Sequence, residues 1–286
     1  IRTLVSLPLL KPDAFAHGIL REHGMRGSLL FGPPGTGKTH VVRALAREAG
    51  AHMLLLKPSD VLHCYVGKSE KIVKSIFSLA RRLTPCIVFI DELDALFSQR
   101  SGDRERNGHR SMLTEFMQEM DGLLGKNENV VVIGATNRPF DLDDALIRRL
   151  PLRLLVDLPG EKEREEILKI LSRSETLGQD VDLAKIARET SKFSGSDLKH
   201  LVVGAVLESV KESVTLPWKT DTPAAPALQA PSGIVEISSE EQAASALRVV
   251  HAHHFALAKR DIHPSATEDM TSHSKLREWD RKFASG

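Results

Sequence analysis

Gly32-Pro33-Pro34-Gly35-Thr36-Gly37-Lys38-Thr39 is the segment of this chain whose residue types and spacing most directly specify chemistry. A glycine-rich backbone can wrap its N–H groups around phosphate oxygens, a following helix N-terminus adds positive potential, and a lysine at this position reaches the terminal phosphates. Thr39 offers its hydroxyl to a magnesium ion. The flanks are those that such a loop needs. Ser28–Phe31 is a short apolar run that reads as a buried strand, and Thr39 to Ala49 reads as a helix with Val42, Leu45, Ala46 and Ala49 on one face. With strand, loop and helix in order, the segment reads as a site for a nucleoside triphosphate and not as a chance glycine-rich turn.

Two more strand ends carry polar groups. Cys86-Ile87-Val88-Phe89-Ile90 is apolar and runs into Asp91-Glu92. Ligands bind at the C-terminal edge of a parallel sheet. There Asp91 is placed to hold magnesium through water, and Glu92 to polarise an attacking water. Acids also end strands as plain solubilising residues, but this pair follows a phosphate loop. Val130–Ala135 ends in Thr136-Asn137, and an amide at that tip can bond both a terminal phosphate and the attacking water. The same Asn-Arg-Pro sequence is also good turn chemistry. Farther on, Arg148 and Arg149 follow a short helix. They are surface charges in a lone chain, but in a ring they would reach a neighbour's terminal phosphate and stabilise transition-state charge.

The elements that must position these groups are also legible. Five apolar runs (28–31, 52–56, 86–90, 130–135 and 153–156) alternate with helical patterns, which predicts an α/β fold with a five-stranded parallel sheet covered on both faces. After Leu158-Pro159-Gly160 the strands stop. Glu161 to Leu171 and Ser196 to Lys211 read as amphipathic helices. The expected organisation is a large nucleotide-binding domain over residues 1–159 and a small helical-bundle domain over 160–286. Residues 217–233 contain four prolines and no periodicity, and read as a flexible insertion. Helix is expected again from Ser239 to about Lys259. Leu276, Trp279 and Phe283 mark one face of a terminal helix over about 274–284, assigned to the small domain. His251, His253 and His254 are too close in sequence to converge readily on zinc from one helix, so packing is the preferred reading.

Composition bounds the partners. The chain has 286 residues, 41% hydrophobic and 27% charged, with a formal net charge of +1. That balance gives no general attraction to nucleic acid. Two cysteines, Cys64 and Cys86, supply neither a disulfide framework nor metal-ligand spacing, which fits an intracellular, reducing compartment. No stretch approaches the roughly 20 apolar residues of a membrane span. The chain opens on Ile1, as an excised piece of a longer protein would, so a targeting segment or membrane anchor is expected to lie outside it if one exists.

The motifs together resemble an AAA-type ATPase. They are the phosphate loop (Walker A), the strand Phe89-Ile90-Asp91-Glu92-Leu93-Asp94-Ala95-Leu96-Phe97 (Walker B), and Gly134-Ala135-Thr136-Asn137-Arg138-Pro139-Phe140-Asp141. Phe193-Ser194-Gly195-Ser196-Asp197-Leu198 is similar to the start of the small-domain helix that approaches the nucleotide in that family, which implies that Gly195 and Ser196 join Gly32 to Thr39 in binding it. Within the family the ending is similar to the group that contains katanin, spastin and the mitochondrial outer-membrane extractase of tail-anchored proteins. The cues are Arg148-Arg149, Ile262-His263-Pro264-Ser265 and the terminal segment 275–283. The resemblance implies ATP and Mg2+, with Thr39 and Asp91 holding the metal and Glu92 and Asn137 acting on water. It also implies a hexamer, with Arg148 and Arg149 serving as arginine fingers in trans.

The same resemblance implies that a polypeptide is threaded through a central pore. Tyr65-Val66-Gly67 matches the family's first pore loop, and Tyr65 is the only tyrosine in the chain. Residues 101–110 correspond to the second pore loop. Three positions depart from the family pattern: Lys68 stands where an acid is usual, Cys64 where a base is frequent, and Gly195-Ser196 supplies no arginine. The leading reading is an ATP-driven protein translocase or unfoldase, with extraction of membrane proteins as one use of it and the mitochondrion or its surface as the first choice of location. The alternatives are a microtubule-severing ATPase and a nucleotide-gated scaffold without mechanical work.

Overall fold

The structure, a computed structural model, describes residues 27–61, 68–97, 106–123, 129–213, 249–265 and 271–283, with Lys11, Ala14 and Gly18. The chain forms two compact units, residues 1–157 with 268–286, and residues 158–267.

In the first unit, β1 (Gly27–Phe31), β2 (His52–Leu56), β3 (Cys86–Ile90), β4 (Val130–Thr136) and β5 (Leu152–Leu155) form the expected five-stranded sheet in the order β2-β3-β4-β1-β5. Every pairing is parallel. The apolar runs are unbroken because successive side chains point to opposite faces and both faces are covered. Along β3, Cys86, Val88 and Ile90 enter one core, while Ile87 and Phe89 enter the other. Val130 and Val132 of β4 divide from Val131, Ile133 and Ala135 in the same way.

Helix α1 (Lys38–Glu48) covers one face with Val42 and Ala46. After the short α2 (Pro58–Val61), the other face is covered by α3 (Lys68–Arg82) through Val73, Phe77 and Ala80. The short α4 (Leu93–Phe97) adds Leu93, Leu96 and Phe97, and α5 (Arg106–Gly122) adds Met112, Phe116 and Met120. A short helix, α6 (Asp144–Arg149), starts at Asp143, whose side chain accepts the Ala145 N–H at 2.8 Å.

The second unit contains α7 (Glu161–Leu171), α8 (Leu183–Glu189), α9 (Gly195–Ser213) and α10 (Ala252–Asp261). Leu168, Ala187, Phe193, Leu198, Leu201, Ala205, Phe255 and Ala258 form its core. Arg164 is buried in this unit, donating twice to Ala187 O, at 3.0 and 2.9 Å, and to Pro159 O at 2.9 Å. Three carbonyl bonds compensate the desolvation of that guanidinium.

Three expectations need correction. The second unit also holds a parallel two-stranded ladder, β6 (Thr176–Leu177) with β7 (Val249–Val250). The helix expected from Ser239 to about Lys259 is not continuous, because Val249 and Val250 are extended and α10 starts at Ala252; residues 239–248 lie outside the described residues. Finally, the terminal helix α11 (Thr271–Phe283) belongs to the first unit and not to the small domain. Its Leu276 and Trp279 enter the first unit's core, and Trp279 meets Phe31 of β1 edge-on with ring centroids 4.6 Å apart. The indole is a large apolar group, and the Phe31 end of the sheet gives it a partner. The proline-rich segment 217–233 lies outside the described residues. Among the described residues, no helix is long and apolar enough to cross a membrane.

Candidate active site

The strand order decides which loops meet. β4 lies between β3 and β1, with Phe31 paired to Thr136 and Ile90 to Gly134. The residues that follow these three strands therefore emerge side by side at the C-terminal edge. They are Gly32, Asn137 and Asp91.

The loop after β1 needs glycine for two separate reasons. Gly32 has φ +149°, and a Cβ there would lie 2.2 Å from Val156 O. Gly37, at the N-cap of α1, has φ +90°. These conformations turn the chain so that α1 begins at Lys38. The loop is further braced by Thr36 Oγ1, which donates to Pro33 O at 3.0 Å. The first N–H groups of any helix lack intrahelical partners, so the start of α1 presents donors and a positive dipole end.

Lys38 is only 8% exposed, and its ammonium is held by three acceptors. Nζ donates to Gly32 O at 3.0 Å, Pro33 O at 2.7 Å and Asn137 Oδ1 at 2.7 Å. Burial lowers its pKa from 10.5 to about 8, opposed by the negative charges of Asp91 and Asp94. Thr39 Oγ1 donates to Asp91 Oδ2 at 2.9 Å. Asp91 is fixed as a continuation of β3, its N–H bonding Leu56 O at 3.0 Å. Its other carboxylate oxygen accepts the Glu92 N–H at 3.0 Å.

Glu92 is exposed and has φ +52°, the left-handed region that costs a residue with a Cβ roughly 1 kcal/mol or more. Such local strain belongs with sites where side-chain direction matters. Lys38, Thr39, Asp91, Glu92 and Asn137 are thus one connected group. The Thr39 hydroxyl and the Asp91 carboxylate are hard oxygen donors touching one another, a set that fits Mg2+. The buried cation beside a glycine-rich turn and a helix start fits a polyphosphate.

The two arginines differ. Arg149 is clamped by Asp121, with Nε to Oδ1 at 2.8 Å and Nη2 to Oδ2 at 2.7 Å. Its Nη1 also donates to Ala145 O at 3.1 Å. The Asp121 hydrogen bonds raise its pKa above the ordinary arginine value. Arg148 is exposed and has no hydrogen-bond partner among the described residues. Neither arginine bonds the Lys38 group.

Gly195 and Ser196 begin α9 in the second unit. Asp197 anchors that start, accepting from Ser194 N and Oγ at 2.9 Å each, and from Ser265 N at 3.1 Å and Oγ at 2.9 Å. Burial opposes the ionised Asp197, but these four donors outweigh it and its pKa is lowered. Tyr65, Val66 and Gly67 lie outside the described residues, as do 101–105 of the second expected pore loop. Sequence reasoning gave no role to Asp94, Thr136, Asp121 or Asp197, although all but Asp121 sit within the quoted motifs.

A cluster in the second unit tests the reading of the histidines. Glu212 Oε2 lies 3.1 Å from His253 Nε2 and 2.6 Å from His254 Nε2. His254 Nδ1 accepts the His251 N–H at 2.9 Å, so the neutral ring carries its proton on Nε2, aimed at Glu212. A metal-bound histidine has the opposite arrangement, its free nitrogen donating. The trio is a helix cap and a hydrogen-bond cluster by its donor chemistry.

Comparison with known proteins agrees with this geometry. Residues 28–158 match the model of the ATPase family associated with various cellular activities (AAA), and residues 180–221 match the AAA+ lid domain. Over 215 residues the chain is 41% identical to the outer mitochondrial transmembrane helix translocase of Homo sapiens, covering 75% of this chain and 59% of that protein. It is 42% identical over 215 residues to spastin of Drosophila virilis, covering 74% of this chain and 27% of that one. The crystal structure of the FIGL-1 AAA domain in complex with ADP superposes with a TM-score of 0.77 at 31% identity, covering all of this chain and 86% of that one. The matched region thus spans 59% of the length of the mitochondrial relative.

Proposed function

The chain belongs to the AAA family of ATPases, and from that premise we propose that it hydrolyses ATP in a hexamer and uses the energy to pull polypeptides through a central pore. The observation that carries the reading is the Lys38–Asn137 contact at 2.7 Å beside the Thr39–Asp91 contact at 2.9 Å. These two contacts support a reading in which Lys38 serves the phosphates, Thr39 and Asp91 serve the metal, and Asn137 is the amide beside them.

In this reading the loop from Gly32 to Gly37 and Lys38 hold the phosphates. Thr39 and, through water, Asp91 hold Mg2+, which supplies charge neutralisation on the phosphates when bound. Glu92 takes a proton from the attacking water, and Asn137 orients that water. Arg148 arrives from the neighbouring protomer to stabilise the charge on the transferred phosphoryl group, while Arg149 stays with Asp121 and steadies the helix that carries it. Phosphoryl transfer depends mainly on positioning and electrostatics, and these groups provide both. Tyr65, Val66 and Gly67 grip the polypeptide.

The preferred substrates are proteins with a transmembrane helix at the mitochondrial surface, on the strength of the translocase likeness. Spastin is matched at comparable identity and favours a second reading, microtubule severing. A Glu92→Gln variant separates the two. Purified from cells in its intact form, it is expected to bind ATP, to turn over at least about a hundredfold more slowly, and to retain membrane-anchored proteins. Retained tubulin would favour severing, and normal turnover would remove Glu92 from the mechanism.

A further inference from the structure

Asp94 lies three residues beyond Asp91 on the short helix α4 and faces a neighbouring strand end. Thr136 Oγ1 donates to Asp94 Oδ1 at 2.5 Å. Thr136 closes β4 and is 1% exposed. A hydroxyl has a single proton, so the bond to Asp94 sets its orientation and leaves its lone pairs free to accept. The Arg138 N–H donates to that same oxygen at 2.9 Å. Asn137 is the residue between these two anchored neighbours, and its Oδ1 is the one that Lys38 Nζ meets at 2.7 Å.

We infer that Asp94 is a positioning residue for ATP turnover, acting through the Thr136 hydroxyl to fix the turn that aims Asn137. A carboxylate in the first turn of a helix also suits the helix dipole. That role, however, needs no hydroxyl from another strand and no link onward to Arg138. The relay rests on the ATPase reading above, since Asn137 has work to do only if a water is to be oriented toward a phosphate.

Four variants and two readouts test it on the intact protein. Thr136→Val keeps the branched shape but removes the hydroxyl, leaving Asp94 without its donor and the Arg138 N–H without its acceptor. Thr136→Val and Asp94→Ala are each expected to lower kcat at least about tenfold, equivalent to about 1.4 kcal/mol. KM for ATP should stay within about threefold in Thr136→Val, which keeps the loop and the charges of Asp91 and Asp94 around Lys38. The double variant Asp94→Ala/Thr136→Val should be no slower than the worse single one, because the two residues act as one unit. Thr136→Ser should recover most of the rate.

Hydrogen exchange at the Arg138 amide is the second readout, independent of catalysis. Its protection should fall in Thr136→Val and hold in Thr136→Ser. A Thr136→Val protein within twofold of wild-type turnover would overturn the relay, as would additive losses in the double variant. Unchanged Arg138 protection in Thr136→Val would do the same. A wild-type protein without ATP turnover but with this exchange pattern would overturn the ATPase reading and uphold the relay as a structural link.

Discussion

Arg148 and Arg149 are adjacent in sequence, yet the structure predicts opposite consequences for losing them. The Arg149 guanidinium makes a two-point contact with Asp121 at 2.8 and 2.7 Å and a third bond to Ala145 O at 3.1 Å. Its side chain is 32% exposed and that of Asp121 is 49% exposed, so solvent screens the pair. About 1 kcal/mol is reasonable for such a bidentate contact. The carbonyl bond adds about 0.5–1 kcal/mol. Arg149→Ala should therefore lower unfolding stability by about 1–2 kcal/mol. Arg148→Ala breaks no bond within the described residues and should stay within about 0.5 kcal/mol of wild type.

Turnover should sort the other way. Removing a transition-state arginine costs on the order of 10³ in rate, and Arg148→Ala should approach that loss while folding normally. Denaturant melts give the first quantity, and steady-state ATP turnover above the assembly concentration gives the second. Mixing sharpens the result. Glu92→Gln and Arg148→Ala proteins, each nearly inactive, should regain turnover together, because mixed assemblies contain interfaces with both groups intact. Equal destabilisation by the two arginine variants, or full turnover by Arg148→Ala, would refute the division of roles.

Further expectations follow from other contacts. Trp279→Ala removes an indole packed against Phe31 and Phe283, and should cost about 3–5 kcal/mol in denaturant unfolding, well above Phe283→Ala, whose side chain is 49% exposed. Comparable losses would show that α11 is not anchored through Trp279. Gly32→Ala would place a Cβ 2.2 Å from Val156 O at φ +149°, and should cost more than about 2 kcal/mol and weaken ATP binding, read by melting and nucleotide titration.

Asp180 accepts the Ala252 N–H and faces His251, and these bonds, the backbone one first, lower its pKa from 3.8 to about 2. Because the folded value is the depressed one, the stabilisation of the α10 N-terminus is in place above about pH 4. It is lost as pH falls through about 2. Hydrogen exchange at Ala252 should lose protection over that interval, and Asp180→Asn should remove the pH dependence.

The sheet could be read from sequence because burial on both faces writes each central strand as a continuous apolar run, as in Cys86–Ile90. The Lys38 group was legible for a related reason, since a phosphate loop and two polar strand ends are local patterns placed by one parallel sheet. Other features leave no such trace. Thr176–Leu177 and Val249–Val250 are each two residues, too short to show a period. Leu276 and Trp279 announce a face that must be buried but not what buries it, and Phe31 is remote in sequence. The Asp94–Thr136 and Asp121–Arg149 bonds join single residues on different elements, so only the fold brings them together.

Sharing of the catalytic groups between protomers is tested most directly by ATP turnover per chain across a dilution series, with assembly state followed in the same samples. Turnover should fall steeply as the assembly dissociates, leaving the monomer nearly inert although it still binds nucleotide through Lys38. A monomer that hydrolyses ATP as fast as the assembly would contradict the account.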